Sequence, residues 1–209
     1  MMNTFRMSDL GLLSYYLVLE VTQGAHGITL CQGAYAIKIL EKAGLVACNP
    51  STTPMEMKLK LLKEGSTPSV DATEYRSLIG SLRYLCNSRP DLAYAVGYLS
   101  RFMEAPRQEH LAAVKCVLRY VAGTLHWGLH YHPGRKNEGT PKLVGYSDSD
   151  LAGDVNDQKS TSGLIFFLAG GPIACQSAKQ KVVAVFLRGR IHRGCRSCVR
   201  GSLAGTLAG

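Results

Sequence analysis

The residues with the most chemistry to offer sit in one run, Tyr146-Ser147-Asp148-Ser149-Asp150-Leu151-Ala152-Gly153-Asp154. A carboxylate such as Asp148 at the end of a buried strand can hold a divalent cation on a rigid support. Two-metal phosphodiester chemistry asks for more: carboxylates from several elements around ions about 4 Å apart. One acidic cluster does not supply that, and a solvated turn accounts for the same residues. Cys195-x-x-Cys198, with His192 three residues earlier, has the spacing of half a zinc site. No second pair stands at usable spacing, so two incidental cysteines in a loose tail explain it. His126, His130 and His132 surround Trp127 in a stretch that reads as a strand with one apolar face, which favours structural histidines. No phosphate-cradling glycine loop and no G-x-S-x-G nucleophile turn occurs. Arg83, Arg101, Lys115 and Arg119 fall on expected helices and could contact phosphates; solvated helix faces explain them equally.

The elements that must position these residues follow from periodicity. Residues 14–32 read as a hairpin: apolar and polar positions alternate from Tyr16 to Val21, Gly24 and Gly27 bracket a turn, and Ile28-Thr29-Leu30 returns. Ala34 to Lys42 reads as a helix with Ile37 and Leu40 facing a core and Gly44 as its stop. Pro50, Pro54 and Pro68 mark residues 47–70 as an extended crossing and an internal boundary. Asp71 with Glu74 reads as a capping box opening a helix whose apolar stripe is Tyr75, Leu78, Ile79, Leu82 and Leu85. Pro90 starts a second helix carrying Leu92, Val96, Leu99 and Met103. Pro106 opens a third, with Leu111, Val114, Leu118 and Val121 inward and Gly123 at its end. Residues 132–140 are a polar loop. Three strands in close succession, 142–148, 162–168 and 173–178, predict an antiparallel meander rather than a βαβ unit. The fold class is α+β: a β-hairpin and helix, a cluster of three helices, then an antiparallel sheet.

The balance is basic, 24 Lys+Arg against 15 Asp+Glu over 209 residues, formally +9, which favours polyanionic partners. Five of those arginines lie in residues 186–209, which contain no acid, so more than half of the excess sits in the tail. No apolar run approaches the roughly 20 residues of a membrane span, so no membrane partner is expected. No secretory signal is readable from Met1 to Leu12. Seven scattered cysteines suit a reducing compartment, so an intracellular location, cytoplasmic or nuclear, is expected.

A family resemblance rests on many separate motifs in order. Met7-Ser8-Asp9-Leu10-Gly11, Tyr15 to Val21, Gly27 to Gln32, and Cys48-Asn49-Pro50 with Thr53-Pro54 resemble the run after the polymerase site of copia-type retrotransposon Pol polyproteins. Tyr75 to Leu85, Arg89 to Val96 and Leu118 to Thr124 resemble that family's helical connecting segment. Tyr146 to Asp150, through Lys159-Ser160-Thr161-Ser162-Gly163, is similar to the opening of its ribonuclease H domain.

The resemblance implies four parts: the end of a reverse transcriptase palm-like region over 1–60, a thumb- or connection-like helical segment over 61–139, an incomplete ribonuclease H-like sheet over 140–185, and a basic tail over 186–209. It implies RNA-directed DNA synthesis and RNA cleavage as family activities, Mg2+ as family cofactor, and nucleic acid (an RNA–DNA hybrid or primer–template) as partner. Asp148 matches the first metal-binding carboxylate; Arg83, Lys115 and Arg119 are the candidate backbone contacts. No Tyr-x-Asp-Asp polymerase box occurs in the chain. Leu151 and Cys175 stand where the family usually has Trp, and large-to-small changes in a core cost about 2–5 kcal/mol.

After Ala184 the family continues with a helix reading Ser-Ser-x-Glu-Ala-Glu-Tyr, whose Glu is the second metal ligand. Here Val185-Phe186-Leu187-Arg188-Gly189-Arg190 follows instead. Permitted codons read one nucleotide later restore SSCEAEYIAAAAAACEGAWLARLL, so a frameshift is the economical account of the tail. The expectation is a truncated copia-type piece without catalysis and without productively bound metal. The alternative is the same piece retained as a nucleic-acid- or protein-binding module.

Overall fold

A computed structural model describes residues 11–57, 59–133, 142–150, 152–168 and 170–183. Met7 to Leu10, most of the 132–140 loop, Leu151 and the tail from Ala184 lie outside the described residues, and with them the segment expected to be frame-shifted and the Cys195–Cys198 pair.

The N-terminal strand pattern is interrupted where a continuous strand is expected. Strand β1 (Tyr15–Tyr16) turns back at Leu17-Val18 onto β2 (Leu19–Gly24), pairing Tyr16 with Leu19. Both turn residues have positive φ, 47° and 67°, the pattern of a two-residue hairpin turn of the primed kind. Such angles disfavour a β-branched valine. The Tyr84 hydroxyl donates to the Leu17 carbonyl at 2.6 Å, which anchors the turn from outside. The second turn is as expected: Gly24 pairs with Gly27, and β3 (Gly27–Cys31) returns antiparallel to β2. Gly27 has φ 128°, and a side chain there would collide with the Tyr131 carbonyl. That carbonyl belongs to a strand Leu129–Tyr131, which completes the sheet by pairing antiparallel with β3. Within the stretch from Trp127 to His132 the strand is thus limited to Leu129–Tyr131, and its partner lies about a hundred residues upstream.

Helix α1 (Gly33–Lys42) follows β3 directly. Its Ala34 N–H donates to Glu20 Oε1 on β2 at 2.8 Å, a carboxylate placed at a helix N-terminus. Ala36, Ile39 and Leu40 are buried, whereas Ile37 is 41% exposed. At 100° per residue Ile37 falls beyond the edge of that stripe. Gly44 takes φ 65° just after the helix. Residues 47–70 contain no helix or strand among those described; they cross α4 (Gln108–Gly123), where the Ser51 N–H donates to the Arg119 carbonyl at 3.2 Å.

Asp71 caps α2 (Ala72–Leu85) by accepting from the Thr73 N–H at 2.8 Å, one position short of the bond a full capping box makes. All five residues of the expected stripe, Tyr75 to Leu85, are buried. Pro90–Leu92 forms a tight turn of 3-10 helix that runs into α3 (Ala93–Leu99), and Ser100–Phe102 makes another. Pro106 precedes the α4 N-cap residue, Arg107, by one. Leu82, Leu99, Val114 and Leu118 meet with Leu40 in one core, so α1 to α4 pack as a unit. Arg89 ties its ends together: only 3% exposed, it donates to both Asp91 carboxylate oxygens, at 3.0 and 2.7 Å, and to the Thr124 carbonyl and hydroxyl, each at 2.8 Å.

Taking Leu129–Tyr131 as β4, the remaining strands are β5 (Leu143–Ser149), β6 (Thr161–Leu168) and β7 (Gly171–Lys179), an antiparallel meander. The described residues thus combine four α-helices with two antiparallel sheets. The second sheet rests on α3, where Gly97 leaves room for the Ser177 carbonyl, and on β4, where the Tyr131 hydroxyl donates to the Pro172 carbonyl at 2.7 Å. Among the described residues no helix is long and apolar enough to cross a membrane.

Candidate functional site

The acidic run divides into two environments. Asp148 stands near the end of β5, opposite Gly163 of β6, with Ser177 of β7 on the far side of Gly163. Its side chain is exposed, and Oδ1 accepts the neighbouring Ser149 N–H at 2.9 Å. Asp150 also lies at the surface and closes the strand end, its N–H donating to the Thr161 carbonyl at 3.1 Å and its Oδ1 accepting the Thr161 N–H at 2.5 Å.

Asp154 is different in kind, at 3% exposure. It accepts from Arg101 Nη1 at 2.9 Å, Lys179 Nζ at 2.5 Å and the Asn156 N–H at 2.8 Å. Burial opposes its ionisation, but the Lys179 and Asn156 bonds outweigh burial and hold its carboxyl well below the usual carboxylate range. It is a structural anion, and Arg101, a candidate phosphate contact by sequence, is its partner. Arg101 also donates to the Thr161 hydroxyl at 2.8 Å and lies over the Tyr98 ring. Sequence reasoning missed Lys179, whose nearest acid in the chain is more than twenty residues away.

The donor set does not fit a two-metal centre. Among the described residues no group of three or more His, Cys, Asp or Glu side chains could hold a metal ion. Asp148 and Asp150 come from one strand end, and among the described residues no carboxylate from another element joins them in the cavity they border. No step through a metal follows from this arrangement.

The basic candidates occupy two helices. Lys115 and Arg119 are exposed one turn apart on α4, on one stripe. Arg119 Nε also donates to the Asn49 carbonyl at 2.7 Å, which fixes the side chain against the crossing segment. Arg83 is exposed in the last turn of α2. Of the histidines near Trp127, His130 bonds the Thr29 hydroxyl at 2.9 Å and packs against His132, a structural use.

One buried histidine was not singled out by sequence. His110 is fully buried against Phe102; its Nδ1 accepts the Arg107 N–H at 3.0 Å and its Nε2 lies 3.0 Å from the Leu62 carbonyl. A neutral ring protonated on Nε2 satisfies both bonds. Burial pushes its pKa down, the same preference for the neutral form. Its signal was the position three residues after Arg107 at a helix start, where a side chain can reach back to the N-cap backbone.

The comparisons with known proteins first give a class. Residues 1–57 match the family described as reverse transcriptase (RNA-dependent DNA polymerase). The chain is 42% identical over 179 residues to the retrovirus-related Pol polyprotein from transposon RE1 of Arabidopsis thaliana, covering 86% of this chain and 12% of that polyprotein. It is 35% identical over 182 residues to the uncharacterized mitochondrial protein AtMg00810 of the same plant, covering 87% of this chain and 74% of that protein. The secreted RxLR effector protein 161 of Plasmopara viticola is 48% identical over 112 residues, covering 53% of this chain and 76% of that protein. No solved structure matches the chain. The chain belongs to the family of copia-type retrotransposon Pol polyproteins.

Proposed function

We propose that these 209 residues are, by themselves, a non-catalytic remnant of a reverse transcriptase–ribonuclease H polyprotein. In this reading residues 1–60 correspond to the end of the palm, 61–139 to the thumb or connection, and 140–185 to the opening of the ribonuclease H domain. Residues 186–209 are read as a frame-shifted tail. The observation that carries it is Asp148: an exposed strand-end carboxylate that matches the family's first metal ligand, with no carboxylate from a second element beside it among the described residues. Mg2+ is the ion such a carboxylate would help hold, and one strand end is not enough to hold two. The test is magnesium-dependent cleavage of an RNA–DNA hybrid, expected to be absent. The coding DNA tests the tail: one nucleotide later it should read Ser-Ser-Cys-Glu-Ala-Glu-Tyr from codon 185, and any other text ends that account.

A second reading is favoured by one observation. Lys115 and Arg119 present two cations one turn apart on a packed helix, which suits contact with a nucleic-acid backbone. Retention as a non-catalytic nucleic-acid-binding module would use that stripe, with Arg83 as a further contact.

A further inference from the structure

A cavity of about 770 Å³ lies between α3 and the second sheet. Its volume suits a small molecule. Two aromatic rings border it, Tyr94 from α3 at 51% exposure and Tyr146 from β5 at 48%. Ile165 and Cys175 add apolar lining, and Asp148 and Asp150 contribute carboxylates. Cys175 is exposed there.

The charge of the cavity is one-sided. Among the described residues no lysine, arginine or histidine lines it. Two cations of the same sheet junction, Arg101 and Lys179, are both bound to Asp154. Burial, helped by the nearby Asp150 carboxylate, pushes the Tyr94 phenol up, so its ring stays neutral. Neutral tyrosine faces attract cations, and carboxylates pair with them. The same carboxylates repel phosphate, so nucleic acid is disfavoured on this face unless a metal intervenes.

We propose that this cavity binds a small organic cation with a flat apolar body. The rings and the apolar lining take the body, and Asp148 and Asp150 take the charge. The proposal does not depend on whether the chain cleaves RNA, so the two can fail separately.

The probe is proflavine, a planar aromatic cation, titrated by fluorescence into nuclease-treated full chain in EDTA at pH 8. Acridine, uncharged at that pH, reports the contribution of charge, and spermidine, a cation without a flat body, reports that of shape. Saturable proflavine binding is expected, at least tenfold tighter than acridine and not displaced by equimolar spermidine. Asp148→Asn with Asp150→Asn should weaken proflavine at least tenfold, and Tyr94→Leu should weaken it too. Both Asn side chains keep an acceptor for the Ser149 and Thr161 N–H groups, and circular dichroism checks the fold. If the double variant does not fold, the acridine comparison on the unaltered chain decides. Equal affinity for acridine, displacement by spermidine, or an unchanged folded double variant would overturn the proposal.

Discussion

Arg101 Nη1 lies 2.9 Å from Asp154 Oδ2, and this pair fastens the 3-10 turn after α3 to the loop between β5 and β6. Lys179 of β7 shares the same carboxylate oxygen, while Asn156 of that loop reaches the Leu61 carbonyl and the Lys63 N–H. One buried acid thus joins the helices, the crossing segment and the second sheet. Asp154→Ala leaves Arg101 without its anion, while Lys179 keeps Asp157 at 2.7 Å, and removing one partner of a buried pair such as Arg101–Asp154 is strongly destabilising. A loss of about 3 kcal/mol is expected in urea unfolding. Arg101→Ala should cost a comparable amount, and the double variant less than the sum. Strict additivity would mean that the contact contributes nothing.

Arg89 should be irreplaceable by lysine. Its guanidinium meets Asp91 and Thr124 at the same time and lies 5.6 Å from the centres of the Tyr120 and Trp127 rings. A lysine ammonium cannot reproduce the planar fork. Arg89→Lys and Arg89→Ala are both expected to lose roughly 3 kcal/mol or more. Near-complete rescue by lysine would show that charge alone matters at this position.

Acid should destabilise the chain in two steps. The His110 pKa is lowered in the folded state, so below about 6.5 the unfolded chain takes up its proton first. Stability from this group is complete above that pH and falls as pH drops toward the folded value. Asp154 behaves alike at lower pH: its contribution is present above about 3.9 and is lost progressively below it. Urea midpoints measured from pH 7.5 to 5.5 should fall, and His110→Gln should flatten that window. A midpoint that rises on acidification would refute the assignment of a neutral His110.

Nucleic-acid binding, if it uses the α4 stripe, should depend on salt through few contacts. Lys115→Ala and Arg119→Ala should each reduce the slope of log K against log salt by about 1, uniformly across sequences. An unchanged slope in both variants would move the contact elsewhere.

Much of this architecture is legible in the residues. The stripe from Tyr75 to Leu85 repeats at the helical period and is buried throughout, and the three late strands form the meander their spacing predicts. What fails is what depends on distant partners. The Leu17-Val18 turn contradicts the local β pattern and is anchored by Tyr84, over sixty residues away. The β3–β4 pairing spans about a hundred residues, and no periodicity encodes it. At the candidate site, Asp148 stands at the strand end where its position suggested. The division of the acidic run did not show, because Asp154 is set apart by Arg101 and Lys179, which approach from other elements.

These residues alone are proposed to be without catalysis. The most direct measurement incubates the purified full chain with a labelled RNA–DNA hybrid and Mg2+. No cleavage above the level of an Asp148→Asn preparation is predicted. Magnesium-dependent cleavage that disappears with Asp148→Asn would show that the chain is a working ribonuclease.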